Sequence, residues 1–202
     1  AQAEEQWTNR GVRASLETVI RLWEQMLGAN PSDHHLLTRL SRAHYFLGDT
    51  HQRLAGETDA MLQTFEKGVE LGERALMALS TDFASRVKGG EKVEQAVTVI
   101  PKEGQESLYW YATNLGKFAV AKGFTTTLFY KDRIFAVMQR VLDIDEKFYH
   151  AAPHRYFGAF YAKAPSFAGG DLEKSKVHFD RALALDADFL GTKVLYAEYY
   201  AP

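Results

Sequence analysis

Residues 169–186 constrain the fold of this chain more than any other stretch. They begin with two glycines and predict a turn followed by a helix. On that helix Ser175, Phe179 and Ala182 fall at positions i, i+4 and i+7, so two small residues and one ring share a face. Such a face lets one helix pack closely on a neighbour. Residues 192–201 predict another aromatic helix directly afterwards.

The spacing within this stretch is typical of the second helix of a tetratricopeptide hairpin, with Gly170 in the place of the intra-repeat glycine. Near the start of the chain, Pro31 and Gly48 lie where such a unit has its inter-repeat proline and its intra-repeat glycine. The sequence therefore predicts two partial repeats with irregular structure between them. A stack of helical hairpins presents surfaces and grooves, so catalytic groups are not the first expectation.

Apolar residues recur at the helical period over most of the chain, and alternation of the strand type is nearly absent. Pro153 predicts a start or a bend in one of the helices. We predict an all-α fold, a helical bundle of antiparallel hairpins with degenerate tetratricopeptide-like repeats. Besides the helix within residues 169–186, the predicted helices cover residues 12–27, 34–47, 58–79, 105–121, 126–142, 147–161 and 192–201.

Residues 80–104 interrupt this pattern. Gly89 and Gly90 break the helical period, as does the segment of residues 101–104, and residues 97–100 suit a short extended piece. We therefore predict a loop insertion at about residues 80–104. A chain of 202 residues is long enough to bury a substantial core, and we expect residues 1–202 to form a single domain.

Composition excludes several classes of function. The net charge of −2, with acids and bases mixed along the chain, gives no electrostatic basis for binding nucleic acid. The absence of cysteine excludes disulfides, thiol catalysis and cysteine-based zinc sites. No apolar run approaches the ~18 to 20 residues that a spanning helix needs. No signal peptide is visible, and the removal of an export signal stays open.

Seven histidines raise the question of a metal site. His150 and His154 stand at i and i+4, and His34 is next to His35, but neither pair has the H-E-x-x-H pattern of zinc hydrolases. Pro153 also disturbs the helix that carries the first pair. The acidic clusters lack the layout of a calcium loop, and no phosphate-binding glycine loop or nucleophile elbow occurs. We therefore predict no metal, no cofactor and no enzymatic activity.

Aromatic residues make up 13% of the chain, which is high for a helical repeat. Trp110, Asn114 and Lys117 form a stripe on one predicted helix that combines a large ring with polar groups. Further rings gather in residues 156–167 and 196–200. Aromatic walls with a few polar groups suit a pocket for a bulky apolar ligand. The alternative is that these rings simply form the core.

Three segments together resemble one family, the T components of TRAP transporters, or TatT family. Residues 108–117 are similar to its Tyr-Trp-Tyr-Ala…Gly-Lys helix. Residues 161–171, followed by His178-Phe179 and Ala182-Leu183, resemble its later Pro…Gly-Gly-Asp…His-Phe…Ala-Leu block. Residues 193–201 resemble the Tyr-Ala…Tyr-Tyr helix that comes next. The resemblance spans about residues 7–201.

The resemblance implies an all-helical periplasmic protein, usually a lipoprotein, with degenerate tetratricopeptide hairpins and an apolar cavity or channel. It also implies work beside a periplasmic substrate-binding protein, and association with the outer membrane through a lipid anchor outside the given sequence. Members are not known as enzymes. The leading hypothesis is a non-enzymatic transport accessory protein that carries a lipid, fatty acid or sterol-like molecule in a helical-bundle cavity.

On this hypothesis seven residues bind the ligand. Asn114 and Lys117 are expected to hold a polar head or a carboxylate. The expected apolar walls are Trp110, Tyr111, Tyr156, Phe160 and Tyr196. The alternative hypothesis is a tetratricopeptide-like interaction scaffold with a solid interior, which docks a periplasmic binding protein in its hairpin groove.

Overall fold

A computed structural model describes residues 2–200 of the chain. The prediction of an all-α fold is confirmed, because these residues form eleven α-helices and no strand. None of these helices is long and apolar enough to cross a bilayer. The helices are α1 Gln2–Thr8, α2 Arg13–Ala29, α3 His34–Phe46, α4 Thr58–Leu79, α5 Thr81–Lys88, α6 Val93–Ala96, α7 Gln105–Lys122, α8 Phe124–Ile144, α9 Phe148–Lys163, α10 Leu172–Leu185 and α11 Leu190–Tyr199.

The chain divides into two compact units, one up to Val137 and the other from Met138 onward. In the first unit α4 packs against both α3 and α7, and α2 packs against α3. In the second unit α9 packs against α10 and α11. The expectation of a single domain stays a prediction. The main apolar core of the first unit consists of Leu16, Val19, Ile20, Trp23, Leu27, Leu36, Leu37, Leu40, Ala43, Leu47, Leu71 and Ala75.

Helix α3 begins at a cap and ends in a widened turn. The side chain of Asp33 accepts a hydrogen bond from the Leu36 amide (3.0 Å), which satisfies a free N–H at the first turn. The sequence predicted an end at Gly48, and the structure corrects this, because the backbone continues as a π-helical turn over Leu47–Gln52. A Cβ at Gly48 would lie 2.7 Å from the ring of Phe65, so the glycine leaves room for that ring.

The predicted loop at residues 80–104 is helical instead. It holds α5 and α6, then two 3₁₀ turns at Val97–Val99 and Lys102–Gly104, so the expected extended piece at residues 97–100 is wrong. Ser80 caps α5 by accepting from the Phe83 amide (3.2 Å). The segment buries its apolar side chains, and these contacts hold short helices that have little stability of their own. The buried residues are Phe83, Val93, Ala96, Val97 and Ile100.

The second unit contains the helix pair that the sequence marked most clearly. Ser175, Phe179 and Ala182 on α10 are all fully buried, as their spacing predicted. The Ser175 hydroxyl donates to the carbonyl of Gly158 on α9 (2.7 Å). A Cβ at Gly158 would lie 2.8 Å from the Phe179 ring, so these two helices meet at a glycine.

The bend predicted from Pro153 lies just before that proline. Tyr149, His150 and Ala151 have positive φ angles of 46°, 61° and 55°. The ring of a proline clashes with the carbonyl four residues earlier in a regular helix, and here that carbonyl belongs to Tyr149. Arg155 donates to this displaced carbonyl (3.0 Å) and to that of His150, so the bend keeps hydrogen-bond partners.

Candidate functional site

Helix α7 carries four of the seven residues predicted to bind a ligand. Trp110, Tyr111 and Asn114 are buried, and Lys117 is partly exposed. The helix lies against α3 and α4 in the first unit. Three of the four predicted residues therefore lie within the packing of the helices.

Asn114 joins three helices of the first unit. Its Nδ2 donates to the carbonyl oxygens of Ser41 on α3 (3.0 Å) and Trp110 on its own helix (2.9 Å). The Ser41 hydroxyl donates to the carbonyl of Gly68 on α4 (2.8 Å). The Asn114 Oδ1 atom is buried without a hydrogen-bond partner, and a Cβ at Gly68 would collide with it. Glycine at this position therefore permits the close approach of α4 and α7.

Trp110 is packed on its face and held at its edge. Its Nε1 donates to Oε1 of Glu106 (3.2 Å), one turn earlier on α7. The guanidinium of Arg42 lies 5.2 Å from the centre of the indole, a distance at which the cation and the ring attract each other. The Tyr45 ring lies 5.4 Å away. These contacts make Trp110 part of the interface between α3 and α7.

Tyr111 buries a hydroxyl that makes no hydrogen bond of regular geometry, although the guanidinium of Arg133 is close to it. Its Cβ lies 2.9 Å from the place where a Cβ at Gly72 would stand, so α4 touches α7 at a second glycine. Burial raises the pKa of Tyr111, which keeps its hydroxyl protonated. An unpaired buried hydroxyl costs about 1–3 kcal/mol, and proteins usually satisfy such a group with an ordered water or a ligand.

Lys117 already has an anionic partner. Its Nζ lies 2.7 Å from Oδ1 of Asp49, which also accepts from Nε of Arg53 (3.1 Å). The Lys117 side chain is 41% exposed, so solvent weakens this ion pair. A ligand carboxylate at Lys117 would therefore compete with Asp49, at a modest cost in stability.

The other three predicted residues lie in the second unit. The rings of Tyr156 and Phe160, one turn apart on α9, stack at 6.1 Å between centres. Tyr196 on α11 stacks on Phe179 at 4.8 Å, and its hydroxyl donates to Oδ1 of Asp180 (3.3 Å). Burial raises the pKa of Tyr156. The unit thus brings Tyr156 and Phe160 together on one helix and places Tyr196 against α10.

Two open pockets lie in the first unit, and none of the seven predicted residues lines either of them. One has a volume of about 340 Å³ and lies at the junction of α7 and α8. The other, of about 370 Å³, has a wall of mixed charge. It is lined by Met26, Asp33, His34, His35, Leu36, Thr38, Arg39, Glu103, Glu106 and Ser107.

A histidine pair in the second unit was not predicted from the sequence. The Nδ1 atoms of His154 and His178 lie 2.9 Å apart, and Nε2 of His154 lies 3.1 Å from Glu146. Burial and the neighbouring His154 lower the pKa of His178 to about 4. Hydrogen bonds from Arg181 and His154 lower the pKa of Glu146 to about 2. Glu146, His154 and His178 therefore form one chain of hydrogen bonds, with His154 in the middle.

The histidines considered as a metal pair point to different partners. Nδ1 of His150 lies 2.7 Å from Oδ2 of Asp186, and its ring stacks on Phe189 at 4.3 Å, whereas His154 faces His178. Within residues 2–200, no group of three or more histidine and acidic side chains is placed to hold a metal ion. His178 falls 24 residues after His154, so no local spacing connects them, and only the His-Phe motif drew attention to it.

The fold and these sites define a class of all-helical hairpin proteins whose buried polar groups lie between helices. The family model of the TRAP transporter T-component matches residues 10–202, and the chain belongs to this family. The family is a transport accessory family and is not known as enzymatic, and its members associate with TRAP transporter components in periplasmic transport. A comparison with curated proteins finds no match.

Proposed function

We propose that this T-component is a non-enzymatic periplasmic protein that binds and carries a hydrophobic molecule such as a lipid, a fatty acid or a sterol. The proposed contacts in the first unit are Trp110, Tyr111, Asn114 and Lys117. Those in the second unit are Tyr156, Phe160 and Tyr196. In the full-length form we expect a lipid anchor and a periplasmic substrate-binding protein as partner.

The observation that carries this proposal is a pair of unsatisfied polar atoms on α7. The Tyr111 hydroxyl and the Asn114 Oδ1 are both buried, and neither makes a hydrogen bond of regular geometry, although the Arg133 guanidinium is close to the hydroxyl. Buried polar groups are nearly always paired in folded proteins, so each atom is a candidate contact for a polar group of a ligand or for a water. A molecule with one hydroxyl or carboxyl group and a large apolar body has the chemistry that such a contact selects.

The first test identifies the ligand directly. The protein is purified without detergent and examined by native mass spectrometry, and its lipids are extracted and analysed. We expect a co-purified apolar molecule, or binding to at least one member of a panel of fatty acids and sterols. Absence of both results would remove the carrier proposal.

The second test asks whether Tyr111 contacts the ligand. Tyr111→Phe removes the hydroxyl together with its contact to Arg133, so we expect the stability of the ligand-free protein to change by less than about 1 kcal/mol. The same change should weaken ligand binding by roughly five- to tenfold, because one hydrogen bond to the ligand is lost. Tyr109→Phe, at a partly exposed tyrosine of the same helix, is the matched control and should leave affinity unchanged. Equal affinity of Tyr111→Phe and the unaltered protein would remove Tyr111 from the site.

A second candidate function, a scaffold that docks a periplasmic binding protein, has its own support. The pocket of about 370 Å³ opens to solvent and is lined by acids, histidines and an arginine. Such a lining suits a polar segment of a protein partner better than an apolar ligand. Here we expect the cognate binding protein to be captured in a pull-down, and Glu103→Lys combined with His35→Ala to weaken that capture. Glu103 and His35 are both exposed, so the double variant should keep its melting temperature.

A further inference from the structure

The junction of α7 and α8 exposes a cluster of large apolar side chains. Phe124 and Phe129 are 57% and 76% exposed, and Val120 and Leu128 are exposed as well. The four lie on either side of Gly123, which ends α7 with a φ of +112°. We call Val120, Phe124, Leu128 and Phe129 the apolar corner. Clusters of exposed apolar side chains mark surfaces that a partner covers.

Lysines predominate in the sequence around the apolar corner. No aspartate or glutamate occurs between Glu106 and Asp132, whereas this stretch holds Lys117, Lys122 and Lys131. Lys122 makes no ion pair within residues 2–200, and its Nζ lies 5.8 Å from the centre of the Phe118 ring. Lys117 pairs with Asp49 and Lys131 pairs with Asp132, so Lys122 is the cation that the corner itself offers.

A groove beside the corner combines apolar and anion-binding groups. It has a volume of about 340 Å³ and is lined by Phe118, Lys122, Thr125, Thr126, Phe129 and Tyr130. One ammonium and two hydroxyls at the edge of an aromatic floor fit the phosphate of a lipid headgroup and the first carbons of its chain. The groove and the corner share Phe129, so one lipid surface can contact both.

We propose that the apolar corner inserts into the interface of an anionic lipid bilayer. Phenylalanine, leucine and valine side chains enter the boundary between headgroups and acyl chains, while a lysine beside them reaches back to the headgroups. The groove places the Lys122 ammonium and two threonine hydroxyls beside exposed rings, which is the chemistry that a lipid headgroup next to acyl chains requires, and this favours anionic lipid over a protein partner. This contact is independent of the carrier proposal and of any lipid anchor.

The test is co-sedimentation of the purified chain, without an anchor, with vesicles. One set consists of phosphatidylcholine alone, and the other contains phosphatidylglycerol as well. We expect binding to the anionic vesicles, weaker binding to the neutral ones, and loss of binding as salt is raised. Phe124→Ser combined with Phe129→Ser should lower the partition coefficient at least roughly tenfold, and Lys122→Gln should lower it about fivefold on anionic vesicles only.

The matched control removes exposed apolar side chains elsewhere. Phe167→Ser combined with Val177→Ser, in the second unit, should bind vesicles as the unaltered protein does. All these positions are exposed, so circular dichroism should give the same melting temperature for each variant. Three results would overturn the proposal: no vesicle binding, equal binding after the change at Phe124 and Phe129, or a self-association in solution that this change abolishes. The last result would assign the corner to contact between copies of the chain.

Discussion

The Nδ1 atoms of His154 and His178 lie 2.9 Å apart, so one imidazole donates the proton that the other accepts. Two protonated rings cannot keep this contact, because both nitrogens would then be donors. Glu146 holds the far nitrogen of His154 and is itself held by Arg181. The second unit therefore contains a polar contact between α9 and α10 that depends on the protonation of a histidine.

Stability should fall in mild acid because His178 is half-buried and lies next to His154, and both effects lower its pKa. The pKa of His178 drops from its ordinary 6.5 to about 4 in the folded chain, so between these values the unfolded state binds more protons. The stabilisation is present above about pH 6.5 and is lost as the pH falls towards 4. For a half-buried ring we expect a loss of about 1–2 kcal/mol over this window.

Urea denaturation at several pH values measures this loss. In His178→Gln the free energy of unfolding should depend less on pH across the same window. Some dependence should remain, since burial also lowers the pKa of His44 in the first unit. Identical pH profiles of the variant and the unaltered protein would contradict the assignment to His178.

The contact of α4 with α7 should tolerate no side chain at Gly68. In Gly68→Ala the new Cβ would collide with the amide of Asn114, which is held by Ser41, so we expect a destabilisation of about 2–3 kcal/mol. Gly116→Ala is the matched control, because Gly116 lies within α7 and a Cβ there meets nothing within 4 Å. It should stabilise the chain by about 0.5–1 kcal/mol through higher helix propensity. Thermal unfolding of the two variants measures both the expected destabilisation and the expected stabilisation.

We expect residues 80–104 to contribute to the stability of the folded chain as core residues do. Phe83 is fully buried, so Phe83→Ala is expected to cost about 3–5 kcal/mol. Phe129→Ala removes the same ring from an exposed position and should change stability by no more than about 0.5 kcal/mol. Limited proteolysis supplies a second measurement: the unaltered chain should resist cleavage here, and Phe83→Ala should be cut. Rapid cleavage of the unaltered chain in this segment would restore the view of a loop insertion.

A substitution at Lys117 tests ligand binding with little effect on stability. Lys117→Met removes one exposed ion pair and leaves Arg53 with Asp49, so the free energy of unfolding should change by less than about 1 kcal/mol. If Lys117 holds a ligand carboxylate, affinity for a fatty acid should fall while affinity for the corresponding fatty alcohol stays the same. Isothermal titration with both ligands checks this, and equal losses for acid and alcohol would rule out a charge contact.

Long helices were predicted well because each repeats its apolar residues over several turns. The predicted residues 58–79 coincide with α4, and residues 105–121 differ from α7 by one residue. Helices α5 and α6 were missed because eight and four residues give too little periodicity to register, and the neighbouring glycines resemble loop signals. The π-helical turn after α3 was missed, since the fit of Phe65 against Gly48 is a tertiary contact that no local pattern contains.

The candidate site was predicted less completely than the fold. Sequence placed Trp110, Tyr111 and Asn114 on one helix, but it could not tell which rings would be covered, because burial depends on what α3 and α4 bring to that helix. Phe129 is exposed and Phe83 is buried, yet in the sequence both are simply phenylalanines. Only their neighbours in three dimensions distinguish a core ring from a surface ring.

Gly68 and Gly72 bring the backbone of α4 against the amide of Asn114 and against the Cα and Cβ atoms of Tyr111 where α4 crosses α7. So close a crossing shields the amide hydrogens of α4 from solvent, so they should be among the last in the first unit to exchange with deuterium. A contact without long side chains has few rotamers through which it can readjust. Any motion of the first unit during transport should therefore leave this crossing rigid and occur at the ends of its helices.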